Sequence, residues 1–208
     1  MQVNRKKTVL LIMGSTRAAR NCPRVTAWVE RIAQASTDMR YEVIDLADWP
    51  LPMDDEPAIP ALGRYEQPHT RAWSDKVRSA SAVAFITPQF NWGYPAVLKN
   101  AIDHLYAEWR DKPAVIVTYG GHGGTRCARQ LRRVAASTKM RVAATTPALM
   151  LLDAVIRQGA PLDTERDFAA SAPAVRRAFA ELAAMLDGRE RFLSKVRRTW
   201  KAMLSAAS

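Results

Sequence analysis

Apolar residues along this chain fall into two alternating kinds of segment. Short unbroken runs at 8–13 (TVLLIM), 41–46 (YEVIDL), 82–87 (AVAFIT), 114–119 (AVIVTY) and, more weakly, 141–146 (RVAATT) each predict a strand. Between them, apolar residues recur every three or four positions over 24–34, 68–79, 95–106, 124–137 and 173–187, which predicts helices. The first helix gathers Val25, Trp28, Val29, Ile32 and Ala33 on one face, and the last gathers Val175, Ala178, Phe179, Leu182 and Leu186. In 124–137, Cys127, Leu131, Val134 and Thr138 share one side while Arg126, Arg129 and Arg133 share the opposite one. Strands that are apolar throughout are buried on both faces. With a helix in each crossover, the expected fold is α/β, a doubly wound five-stranded parallel sheet with helices on both faces.

One segment breaks the alternation. Residues 48–63, DWPLPMDDEPAIPALG, carry Pro50, Pro52, Pro57 and Pro60, so they form a loop and not a helix. Asp54, Asp55 and Glu56 within it resemble a metal-binding carboxylate cluster, but with no His close in sequence they are expected to be solvated, and no metal is expected.

Composition narrows the class. A chain of 208 residues with 48% hydrophobic and 25% charged residues is globular and fits a single domain, taken here as 1–188. No apolar run approaches the roughly 20 residues of a membrane span. The start, MQVNRKKTVLLIMGS, lacks a small-residue cleavage site, so a cytoplasmic protein without membrane contact is expected. Cys22 and Cys127 are too few for a disulfide framework and read as ordinary thiols. The net charge of +11 invites a nucleic-acid partner, yet residues 189–208 hold six Lys/Arg and one Glu. That tail is expected to be a basic amphipathic helix, and with no binding motif beside the charge nucleic acid is disfavoured.

Candidate chemistry sits after three strands, where ligands bind in open parallel sheets. The first strand is followed by Gly14, Ser15, Thr16 and Arg17, hydroxyls and a guanidinium directly before a helix, which suit a phosphate. The turn is neither a Walker nor a G-x-G-x-x-G loop. After the third strand come Pro88, Gln89, Phe90, Asn91, Trp92, Gly93, Tyr94 and Pro95, a stretch able to lay a planar ring along its backbone. Its aromatics could equally pack into the core or an interface. After the fourth come Gly120, Gly121, His122, Gly123 and Gly124, which permit close backbone approach or serve as a flexible turn.

The spaced set GSTR (14–17), PQFNWGYPAVLKNAIDHLY (88–106) and TYGGHGG (118–124) resembles the NADPH-dependent FMN reductases of flavodoxin-like fold, most nearly their yeast-type NAD(P)H:quinone reductase branch, over about residues 8–150. The resemblance implies non-covalent FMN with NADPH or NADH as co-substrate. Its phosphate would lie on Ser15 and Arg17, its isoalloxazine on 88–92, and its pyrimidine edge near Gly120 to His122. Many relatives carry a further Ser where this chain has Arg20-Asn21-Cys22-Pro23, so Asn21 or the Cys22 backbone would substitute. The implied acceptors are a quinone, an azo compound or free flavin, and the implied assembly is a homodimer or homotetramer.

Other groups read as secondary. His122 is a weak candidate for a general acid, because a bound cofactor would carry the chemistry. His104 is expected at the surface or an interface, His69 in solvent ahead of a helix, and Glu108 with Tyr106 and Trp109 at a subunit contact. The rival reading is a flavodoxin-like redox sensor that binds FMN without turning over.

Overall fold

The computed structural model describes residues 6–188, so the expected tail helix over 189–208 lies outside the described residues. Six parallel strands form one sheet: β1 (Thr8–Met13), β2 (Arg40–Asp45), β3 (Ala82–Pro88), β4 (Pro113–Gly120), β5 (Arg141–Val142) and β6 (Ala148–Met150). The order is β2-β1-β3-β4-β5, with β6 also paired to β4. The chain therefore reverses winding direction between β1 and β3, which opens a crevice at their carboxyl ends.

Because successive strand residues point to opposite faces, Val9, Leu11 and Met13 of β1 enter one core while Leu10 and Ile12 enter the other. The first core is covered by α1 (Cys22–Ser36) and α7 (Ala172–Leu186), the second by α2 (Pro68–Ser79), α3 (Ala96–Asp103) and α4 (Thr125–Ser137). Trp28 meets Phe168 edge-on in the first, and Trp73 and Trp109 do so in the second. Four of the five expected strands stand within a residue or two of the runs that predict them.

The fifth differs. Instead of one strand over 141–146, β5 bonds the start of β4 and β6 bonds its end, at Thr118↔Ala148 to Gly120↔Met150. Between them Thr145 turns its amide and hydroxyl to Glu181 (2.8 and 2.6 Å), and Pro147 has no N–H for a ladder. Two short helices, α5 (Asp153–Arg157) and α6 (Thr164–Asp167), occupy a stretch that carries no clear sequence period. The third helix stops at Asp103 and not at 106, because the indole N–H groups of Trp73 and Trp109 bond the Ala101 and Ile102 carbonyls at its end (2.7 and 2.9 Å).

Four side chains stand elsewhere than expected. Glu108 turns into the chain's own interior: its buried carboxylate accepts from the Tyr65 hydroxyl (2.9 Å), Ser74 (2.7 Å), and Arg78 through Nε (3.0 Å) and Nη2 (2.6 Å). His104 is not at the surface but buried, with Nε2 2.9 Å from the Pro52 carbonyl and Nδ1 3.0 Å from the Thr70 hydroxyl. A carbonyl only accepts, so Nε2 carries the hydrogen that the Pro52 carbonyl takes. His69 lies inside α2, half-buried, with Nε2 2.9 Å from Asp55 Oδ2. Glu56, expected in solvent, accepts from the Glu66 and Gln67 amides (2.8 and 3.0 Å) and so tethers the Pro-rich loop to the start of α2. Although ligand atoms of Asp55, His69 and His104 lie within 4.8 Å of one another, both His104 nitrogens already face protein partners.

Candidate functional site

The carboxyl ends of β1, β3 and β4 and the start of α1 surround a cavity of about 280 Å³. At one end stand Ser15, Arg17, Ala19, Arg20 and Asn21. The Gly14 amide bonds the Ile86 carbonyl (2.8 Å), which binds this turn to β3 and holds Ser15 buried at the cavity's edge. Asn21 begins α1 without a side-chain cap, and no acidic residue occupies the first turn. The amide end of a fifteen-residue helix is thus left open to an anion.

Two arginines flank it. Arg17 is exposed and lays its guanidinium over the Phe90 ring, 4.0 Å from the centroid. Arg20 pairs with Asp45 at the end of β2, and its buried Nε has no partner. Nothing in the GSTR signature points to Arg20; its signal is position, two residues before α1 begins at Cys22.

The middle of the cavity is formed by Pro88, Gln89 and Phe90. Gln89 has a structural task as well, since its side-chain oxygen accepts from the Cys127 amide (3.2 Å) at the start of α4. Phe90 and Gly93 exchange two backbone bonds of 2.8 Å, closing a two-residue hairpin on Asn91 and Trp92. Both tip residues have positive φ (46° and 71°), the pattern of a type I′ turn that ordinarily carries Asn then Gly. A Trp in the second position costs about 1–3 kcal/mol of backbone strain.

The far wall comes from Tyr119, Gly120, Gly121, Leu151, Val155 and Ile156. The last three belong to β6–α5 and escape a reading that ends its strands at 146; their signal is the apolar run PALMLLDAVI. Gly123 and Gly124 shape the turn without lining the cavity. Both have positive φ (66° and 78°), and an added Cβ would come within 2.9 Å of Ala148 Cβ and 2.8 Å of Thr118 Cβ respectively. Gly14 is likewise a packing glycine, with Thr87 Oγ1 2.8 Å from a built Cβ. Of the other expected contacts, Thr16, Asn91, Trp92 and the exposed His122 do not line the cavity.

Burial pushes the Cys22 thiol above its ordinary pKa despite hydrogen bonds from Tyr119 and Thr26. Burial, and then the neighbouring Cys22, raise the Tyr119 hydroxyl far above its own. Both therefore stay protonated, and the lining contains no activated nucleophile beside a base. An anion seat at one end and a slot walled on one side by Leu151, Val155 and Ile156 at the other suit a phosphorylated planar cofactor that brings its own reactivity.

Comparison with known proteins agrees. The family model described as NADPH-dependent FMN reductase matches residues 8–150. An NAD(P)H-dependent FMN reductase of Schizosaccharomyces pombe is 48% identical over 181 residues, covering 86% of this chain and 90% of that protein. The chain belongs to the NADPH-dependent FMN reductase family. A second relative, an NAD(P)H-dependent FMN reductase of Saccharomyces cerevisiae, is 46% identical over 143 residues, 64% of this chain and 75% of that protein. The flavoenzyme NAD(P)H:(acceptor) oxidoreductase FerB of Paracoccus denitrificans shares the fold, with a TM-score of 0.64 at 21% identity over 89% of this chain and 98% of that one.

The family's flavin can be tested against the residues present. The uncapped, acid-free start of α1, buried Ser15 and the partnerless Arg20 Nε form a donor set with no protein acceptor of its own, which is what an FMN phosphate requires. The fit is good.

Proposed function

We propose that this chain is an FMN-dependent NAD(P)H oxidoreductase that passes electrons to quinones, azo compounds or free flavin through a single shared opening. The cavity carries the reading: it couples an anion seat at α1 to a slot between residues 88–90 and 119–121 with one apolar wall. FMN bound there supplies hydride acceptance and release. The chain's own residues bind and orient it. Ser15, Arg17, Arg20, Asn21 and the first amides of α1 hold the phosphate. The carbonyl and amide edge of 88–90 and the backbone at Gly120 and Gly121 set the ring plane, while Leu151, Val155 and Ile156 keep water from one side. Exposed His122 takes no part in proton transfer.

An opening of this size admits one planar substrate at a time, so nicotinamide and acceptor alternate. Exposed Met53, Ile59 and Leu62 on the Pro-rich loop support assembly as a homodimer or homotetramer. Buried, unpaired Cys22 and Cys127 suit a reducing, cytoplasmic setting. No described helix is long and apolar enough to cross a membrane.

The test is direct. The purified protein should release FMN on denaturation, oxidise NADPH with a quinone, and give parallel double-reciprocal lines at several fixed quinone concentrations. Converging lines would show that both substrates bind together, and NADPH reduction too slow to turn over would favour the sensor reading.

A further inference from the structure

Outside the flavin cavity, Trp92, Arg126, Arg129, Gln130 and Arg133 line a second, shallow groove of about 470 Å³. We propose that it binds the 2′-phosphoadenosine end of NADPH, with Trp92 stacking the adenine and Arg129 and Arg133 holding the 2′-phosphate. The inference rests on the NAD(P)H reductase reading and assigns its dinucleotide preference.

Three observations point to a ligand with a ring and a negative charge. Trp92 is 62% exposed, yet it is held at φ 71° in a turn position where glycine would be easier. Outliers of this kind persist where something uses them. One face of its indole is covered by Arg126, whose Cζ lies 3.5 Å from the ring centroid, so the other face can complete a sandwich with a planar base. The three arginines stand at three- and four-residue spacing on α4, all exposed, and no carboxylate lines the groove. Like charges so placed repel, and a bound dianion relieves them.

The groove also lies in the right place. The Asn91–Trp92 turn continues from Phe90, a wall of the flavin cavity, and rests on α4 where a Cβ built on Gly93 would stand 3.0 Å from Gln130 Oε1. A dinucleotide with its nicotinamide at the cavity mouth would pass over this turn. NADH carries a neutral ribose diol where NADPH carries a phosphate of nearly two charges, so only NADPH gains from the stripe. A polynucleotide would need a longer basic track and more than one stacking ring.

The FMN-loaded, full-length protein should be titrated calorimetrically with 2′,5′-ADP, with 5′-AMP, and with a 20-nucleotide oligo(U). The expected result is at least tenfold tighter binding of 2′,5′-ADP than of 5′-AMP. The ratio should fall to about one in Arg129→Ala/Arg133→Ala. In the same variant kcat/KM for NADPH should drop at least tenfold while that for NADH stays within twofold. Trp92→Gly should weaken both nucleotides together and raise the melting midpoint, because glycine relaxes the turn. A wild-type ratio near one, an unchanged ratio in the double variant, or oligo(U) binding tighter than 2′,5′-ADP would each overturn the assignment. If the nucleotide preference and its loss are seen but no NADPH oxidation occurs, the groove stands and the reductase reading falls. Normal turnover without the preference gives the reverse.

Discussion

Removing the Arg17 guanidinium is the sharpest probe of the anion seat. Its geometry assigns two separable contributions. Toward a phosphate it offers charge-assisted hydrogen bonds worth about 1.5–3 kcal/mol, and because Arg17 is exposed the lower half of that range applies. Toward Phe90 it offers a cation–π contact at 4.0 Å, worth about 0.5–1 kcal/mol at an exposed site, and because that contact is made without flavin it adds to stability and not to affinity. Arg17→Ala should therefore weaken FMN binding by about 1.5–2 kcal/mol, or roughly 10- to 30-fold in Kd. Riboflavin has the same ring and no phosphate, so its Kd should change by less than about twofold. Flavin fluorescence quenching on apoprotein measures both constants. If Arg17→Ala leaves FMN within threefold of wild type, or lowers both flavins equally, the phosphate does not lie where the α1 start and Arg17 place it.

Further outcomes follow from the packing. Gly14→Ala should cost about 1–3 kcal/mol in urea unfolding, because its Cβ would meet Thr87 Oγ1 at 2.8 Å and Leu98 Cδ2 at 3.0 Å inside a filled core; an unchanged midpoint would contradict the packing role. Glu108→Gln should destabilise by about 2–3 kcal/mol at pH 7. Burial works to raise the Glu108 carboxyl, but hydrogen bonds from Ser74, its own backbone, Tyr65 and Arg78 outweigh it and leave the pKa lowered. A lowered carboxyl adds stability above its unfolded pKa and loses it as pH falls through the folded one, so the gap between wild type and variant should narrow in acid. Burial pushes the Cys127 thiol up to about 12, so it should resist alkylation at pH 8 until the protein unfolds; rapid native labelling would show the site to be open. Deleting residues 189–208 should leave flavin content and turnover within about twofold while reducing salt-sensitive binding to polyanions, and apoprotein after truncation would show that the tail packs on the body.

The sheet was legible because β1, β3 and β4 are buried on both faces and so read as unbroken apolar runs. The edge was not: β5 and β6 have two and three residues, too few for any period to show. Glu108 was misplaced because its partners Arg78, Ser74 and Tyr65 lie 30, 34 and 43 residues away, and only the folded chain brings them to one carboxylate. His104 directly follows a helix that carries exposed Lys99 and Asp103, which makes it look solvated until the Pro-rich loop carries the Pro52 carbonyl over it.

Each of the three motif loops divides its residues between two tasks, and this explains why the motifs are longer than the contacts they make. In the first loop Gly14 packs between Thr87 and Leu98 so that Ser15 and Arg17 can face the cavity. In the second, the Gln89 amide ties β3 to α4, which fixes the backbone of 88–90 as a wall and sends the next turn outward with Trp92. In the third, Gly123 and Gly124 press against Ala148 and Thr118, and the Thr118 hydroxyl bonds the Gly123 carbonyl (2.8 Å), so Gly120 and Gly121 are held at the rim. A signature of this kind specifies a crevice of fixed shape more than a set of ligand-touching side chains. Groups that vary what the crevice does are then expected just beyond it, on surfaces the packing leaves free. The arginine face of α4 is such a surface, since its opposite face already supplies the core with Cys127, Ala128, Leu131 and Ala135.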